Sequence, residues 1–229
     1  MLDCLTEGRV VVLFLRGTPA EHQTYTDVSA SARAMTQEGI ELILKAWTAE
    51  EPFSWKGEHF DFPTVSVWPR TYQAPHPPAF GSGNSEESAA FAARHHLGMG
   101  ISFAATPVIR RWVEIYRSEA EKAGWSPGPE HIIYRGLAHL ARTDEEADAV
   151  LEGRPKIDVD PQGPLAHIAR PYFFGSSTTV TGQIEALHEL GVGVIDMAFA
   201  AGVGAIDYER QADVVSQFAE EVMPAIRAW

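Results

Sequence analysis

Residues 10–15, Val-Val-Val-Leu-Phe-Leu, constrain the chain most: an apolar run without alternation, β-branched at its start, ending at Arg16-Gly17-Thr18-Pro19. Alternation would mark a strand with one wet face, whereas a short unbroken run marks a strand covered on both faces, as in a parallel sheet flanked by helices. The rest of the chain keeps that rhythm. Residues 31–47 place Met35, Ile40, Leu42, Ile43, Leu44 and Trp47 mostly at helical spacing. Strands are expected at 79–83, 99–104, 132–141 and 194–200, and helices at 86–96, 106–123, 144–151, 178–190 and 208–228. Strands alternating with helices imply right-handed βαβ units. Five strands belong to this repeat.

Two segments stand outside it. Residues 53–69 set Trp55, Phe60, Phe62, Val65, Val67 and Trp68 around Lys56-Gly57-Glu58, which predicts an inserted hairpin. Residues 152–171, rich in Pro, Gly and Asp, read as a loop or weakly structured excursion. Residues 2–8 look like the tail of a helix ending at a glycine C-cap, so the first strand is entered from a helix.

Charge narrows the partners. With 18 Lys and Arg against 31 Asp and Glu, the net charge of −13 argues against nucleic acid and anionic membrane. A hydrophobic fraction of 45% over 229 residues supports one domain, 1–229, with a sizeable core. Cys4 is the single cysteine, which excludes an intramolecular disulfide and fits a reducing cytosol. There is no secretory leader pattern, because Asp3 and Glu7 precede any apolar run, and no stretch of membrane-spanning length. A cytoplasmic location is expected.

The segment Gly81-Ser82-Gly83-Asn84-Ser85-Glu86-Glu87-Ser88 lies between a strand end and a helix start. Glycines let the backbone approach closely, Ser85 can cap the helix, and free N–H groups there meet the positive end of the helix dipole. Such a place suits a phosphate, although Ser85 with Ser88 could equally be a helix cap and nothing more. It is neither a Walker loop nor a GxGxxG fingerprint. Arg16, at the carboxyl end of the first strand, is a candidate anion anchor, since ligands gather at that end of parallel sheets; alone it would read as a loop arginine. His95 and His96 at a helix end are expected to satisfy the last carbonyls and the dipole, and His76 between prolines reads as part of a rigid linker. His139 and Asp196, in or near strands, could face a site, though a satisfied core position is the simpler reading. No metal-ligand spacing, nucleophile elbow or acid–base pair is present, so catalytic residues stay unassigned.

Taken together, Gly8-Arg9 with residues 10–15 and Arg16-Gly17-Thr18-Pro19, the 41–47 helix, Phe60-Asp61-Phe62-Pro63, Val67-Trp68-Pro69-Arg70, Pro75-His76-Pro77-Pro78 and Gly83-Asn84-Ser85 resemble the bacterial-luciferase-like flavin-dependent monooxygenases. The likeness continues through Gly175-Ser176 and Glu220-Glu221-Val222-Met223-Pro224, over nearly the whole chain. It implies a (β/α)8 TIM barrel with reduced FMN, or in relatives a deazaflavin, at the carboxyl ends of the strands. It also implies oxygenation of a small organic substrate, with a separate flavin reductase as partner. Arg16 then matches the arginine near the flavin phosphate, Asn84, Ser85 and Ser88 match the phosphate-binding loop, and Gly83 with Asn84 shapes it. Against that pattern the chain starts at the end of the third helix. The expected fold is therefore an incomplete, TIM-barrel-derived α/β parallel sheet of about five βα units, with the first three strands and the family's catalytic histidine missing.

Such a sheet leaves 10–15 as an uncovered edge, which a homo-oligomer, a partner chain or a rearranged segment of this chain would cover; an upstream start codon is a fourth explanation. Two other functions compete: a non-redox binding or scaffold protein derived from the family, and a cofactor-free cyclase or isomerase using the residual pocket.

Overall fold

The computed structural model describes residues 1–17, 21, 22, 24, 31–152, 172–199 and 208–227. The expected 152–171 loop, apart from Glu152, and Thr18-Pro19 lie outside the described residues. A short helix α1 (Leu2–Leu5) precedes β1 (Val12–Phe14). Its expected glycine end is present: Gly8 has φ +81°, and its N–H donates to the Asp3 carbonyl at 2.9 Å. Asp3 is buried and holds this end of the chain, accepting from the backbone N–H and side-chain amide of Gln73 at 2.9 and 2.8 Å.

After β1 come α2 (Ala32–Thr48), β2 (Phe53–Lys56), β3 (Asp61–Val65), β4 (Ala79–Ser82), α3 (Glu86–Arg94), β5 (Gly98–Ser102) and α4 (Thr106–Lys122). The chain continues through β6 (Ile132–Leu140), α5 (Asp144–Glu152), β7 (Phe173–Gly175), α6 (Ser177–Glu189), β8 (Val194–Phe199) and α7 (Tyr208–Gln217). A π-helical turn at Phe218–Val222 leads into α8 (Met223–Ile226).

β2 and β3 form the antiparallel hairpin expected at 53–69, and it does not join the main sheet. In that sheet the parallel order is β1-β4-β5-β6, with β8 beside β6 at Ile133–Ala138. These are the five strands read from the sequence. β7 pairs with the last three residues of β6 and was not expected. Among the described residues the sheet stays open, with β1 at one edge and β7 and β8 both beside β6 at the other.

Strand alternation separates the faces. On β6, Ile132, Tyr134, Ala138 and Leu140 are buried on the outer, helix-covered face. There they meet Ile109, Val113, Tyr116 and Ala120 of α4, spaced four, three and four residues apart, and Val180, Ile184 and Leu187 of α6. That spacing is the apolar stripe of an amphipathic helix. The core thus lies between sheet and helices. The inner face carries Leu13, Phe80, Gly98, Gly100, Ile133, Arg135, Leu137, Val194 and Asp196, in the positions alternating with the core residues. No described helix is long and apolar enough to cross a membrane.

Candidate site at the carboxyl end of the sheet

Helix α3 starts at Ser85, whose backbone is extended and whose hydroxyl oxygen accepts from the Ser88 N–H at 3.1 Å. The Ser85 hydroxyl also donates to Ser88 Oγ at 2.8 Å. This cap satisfies one of the helix's initial donors; the N–H groups of Glu86 and Glu87 keep no intrahelical partner and point along the dipole. Both readings of the serine pair are therefore compatible: it caps the helix and presents two hydroxyls at a positive terminus.

The Gly83 backbone is packed from below. A Cβ at Gly83 would lie 2.3 Å from Met99 Cγ and 2.9 Å from its sulfur, while the Gly83 N–H donates to the Gly100 carbonyl at 2.7 Å. Close approach of β5 demands this glycine, so the close-packed partner is the neighbouring strand rather than a ligand. Asn84 works similarly, its side-chain oxygen accepting from the Ser102 N–H at 2.8 Å and tying the loop to β5.

Arg16 leaves the carboxyl end of β1, exposed, with its carbonyl 2.8 Å from His22 Nε2. Arg16 lines a cleft together with Ser82 and Ser88, and Phe14, Ile40 and Phe91 give it an apolar wall. The cleft's other wall comes from α2. Arg33 contributes Nη1 3.4 Å from Ser88 Oγ and 3.0 Å from Glu87 Oε2, and Thr36 and Gln37 line the cleft beside it. Sequence reasoning missed these three. Their signal was the spacing Arg33, Thr36, Gln37, Ile40, one helix face ending in a core residue. Gly83, Asn84 and Ser85 position the loop and the helix start but are absent from the cleft's lining, which holds Arg16, Arg33 and Ser88 together.

Other candidates resolve differently. The His95 ring lies against Phe91 and 3.3 Å from Glu41, and His96 stacks on Trp125, so neither ring goes to the helix carbonyls as expected. Burial lowers the His95 pKa, against the opposing pull of Glu41. His76 packs on Trp47. His139 is buried and stacks on Phe174, as a core histidine would. Asp196 departs from that reading: it is half exposed on the inner face, opposite Arg135. No group of three or more His, Cys, Asp or Glu able to hold a metal occurs among the described residues.

The model of a family described as luciferase-like monooxygenase matches residues 1–189. An uncharacterized protein of Sinorhizobium fredii is 31% identical over 120 residues, which are 52% of this chain and 34% of that protein. The match thus spans about a third of that relative's length. Among solved structures, the monooxygenase RslO1 from Streptomyces bottropensis superposes with a TM-score of 0.78 at 26% identity, over 99% of this chain and 71% of that one. The oxygenating constituent of 3,6-diketocamphane monooxygenase from Pseudomonas putida, solved with FMN, gives 0.70 at 19% identity, over 97% and 72%. At that identity the likeness is one of fold.

Proposed function

Because the chain belongs to the luciferase-like monooxygenase family, we propose that it is a flavin-dependent oxidoreductase whose cleft between β1, α2 and α3 holds the phosphate of reduced FMN. The carrying observation is the convergence of Arg16, Arg33 and Ser88 on one cleft at the amino end of α3. A phosphate needs positive charge, several donors and low steric cost. Two guanidiniums and the hydroxyls of Ser82 and Ser88 meet those needs, beside the positive end of the α3 dipole. The residues present therefore fit the group, and they would fit a deazaflavin's phosphate equally.

Bound reduced flavin supplies the electrons for O₂ activation and oxygenation of a small organic substrate. The chain's own residues act on position: Arg16 and Arg33 clamp the phosphate from opposite walls, Ser85 fixes the helix start, and Asn84 fixes the loop on β5. A separate flavin reductase delivers the reduced cofactor.

Fluorescence titration with oxidised and dithionite-reduced FMN tests this reading. Saturable binding is expected, weakened about tenfold or more by Arg16→Ala or Arg33→Ala, the loss typical of a charged hydrogen bond. Ser85→Ala weakens it less. Failure of both FMN and deazaflavin to bind at near-millimolar ligand overturns the proposal. The open outer strands β1 and β8 favour one second reading, a non-redox binding protein built on the same fold. A homogeneous assembly without flavin uptake supports that second reading, whereas substrate turnover in flavin-free buffer supports a cofactor-free enzyme.

A further inference from the structure

The inner face of the sheet holds an arginine whose donors are mostly unspent. Strand register places Ser102, Arg135 and Asp196 side by side on β5, β6 and β8. Arg135 approaches Asp196 most closely through Nε, 3.5 Å from Oδ2, a distance beyond a good hydrogen bond. Its two Nη groups have no hydrogen-bond partner among the described residues, and its side chain is 50% exposed. Beyond Ser102 and Asp196, the neighbouring inner positions are apolar or bare. Ile133 and Leu137 flank Arg135 along β6, and Gly100 lies one layer below, covered by Leu13, whose Cδ1 is 2.7 Å from where a Cβ on that glycine would lie.

A planar fork with two free N–H pairs, set among hydrocarbon, matches a carboxylate on an apolar body better than it matches a single point acceptor. Asp196 touches the far edge of the fork and so limits the guanidinium's rotation without filling its bidentate side. We propose that Arg135 binds the carboxylate of a small, largely apolar organic acid on the inner face of the sheet, where Asp196 orients the guanidinium and also competes for its charge. Ser102, in register with Arg135, offers a hydroxyl to the same group. This site goes beyond the flavin reading and shares no residue with the phosphate cleft. It is nevertheless adjacent to it, because Asn84 of the loop bonds the Ser102 N–H.

Calorimetric titration of the full chain in flavin-free buffer, with benzoate and with its neutral counterpart benzamide, tests the assignment. Benzoate is expected to bind saturably and benzamide at least tenfold more weakly. Arg135→Gln should weaken benzoate by ~tenfold or more, and Arg135→Lys, which keeps the charge and loses the fork, by an intermediate factor. Asp196→Asn keeps the shape and removes the competing charge, so benzoate binds severalfold more tightly, a gain that a purely structural ion pair would not give. No saturable benzoate binding, equal affinity in the parent and Arg135→Gln, or equal binding of benzamide overturns the proposal. Circular dichroism melts of each variant separate loss of binding from loss of fold, and Arg135→Lys serves if Arg135→Gln does not fold. FMN titrated in parallel reads the phosphate cleft alone, so failure of either site is visible without the other.

Discussion

Glu87 sets the charge balance of the phosphate cleft. Its carboxylate lies 3.0 Å from Arg33, and both side chains are partly exposed, at 59% and 34%. An ion pair this wet is worth at most ~1 kcal/mol, so a dianionic phosphate can displace it, yet Glu87 competes for the same guanidinium. Glu87→Gln is therefore expected to tighten FMN several-fold in the fluorescence titration, and unchanged affinity would place the phosphate away from Arg33. At this scale the sequence disclosed only what is local. Ser85 and Ser88 are three residues apart and cap their helix as their spacing suggests, whereas Arg33 reaches Ser88 across 55 residues. No pattern within α2 reports which strand end its polar stripe will face. The packing partner of Gly83 is hidden for the same reason, since Met99 lies on the next strand.

Among elements, the β2–β3 hairpin depends on one side chain of α2. Glu38 accepts from Trp55 Nε1 at 3.0 Å and from the N–H groups of Glu58, His59 and Phe60 at 2.9–3.1 Å. The Trp55 bond, helped by the backbone donors and opposed by desolvation, holds the Glu38 pKa below its ordinary value of 4.5. A carboxylate depressed in the folded state stabilises fully above its unfolded pKa, and that stabilisation is lost as pH falls through the lowered folded value. Below pH 4.5 the hairpin should therefore loosen from α2, read as a change in Trp55 fluorescence and faster amide exchange at 57–60. Glu38→Gln should show the loosened state already at neutral pH and abolish the acid transition. The hairpin was legible from its aromatic alternation and glycine turn; its anchor was not, because a glutamate on a helix ordinarily reads as solvated. The closing helix was legible as one unit and is interrupted instead. Pro224 lacks the N–H that would bond back to residue 220, and the preceding turn widens into the π form at Phe218–Val222.

For the whole molecule, the five-strand order was readable because continuous apolar strands and one-sided helices alternate along the chain. β7, three residues long beside a segment of Pro and Gly, carries too little pattern to be seen. The open sheet has a consequence in solution. β1 and β8 are outer strands, and Val11, Leu13, Leu15 and Val194 beside them are 59%, 39%, 66% and 38% exposed. Unpaired edges with apolar side chains recruit further chains. Sedimentation equilibrium is expected to give a mass above the 25.1 kDa of one chain at micromolar concentration. Val11→Lys should shift it toward that value, and a strictly monomeric parent would contradict this expectation.

The Arg135–Asp196 pair also bears on how reliably the chain finds its fold. In a strand, sliding by one residue exchanges the two faces. If β6 paired one residue out of step, Arg135 would enter the position of Tyr134 or Gly136, against Phe173 and the α4 helix, where an unpaired charge is prohibitively costly. Its partner Asp196, half exposed on the inner face at 53%, would be stranded in turn. Neutral leucines or valines at 135 and 196 would tolerate the slip far better. The charges on the inner face thus act as a proofreading device for strand pairing, admitting one register of the central strand and penalising its neighbours.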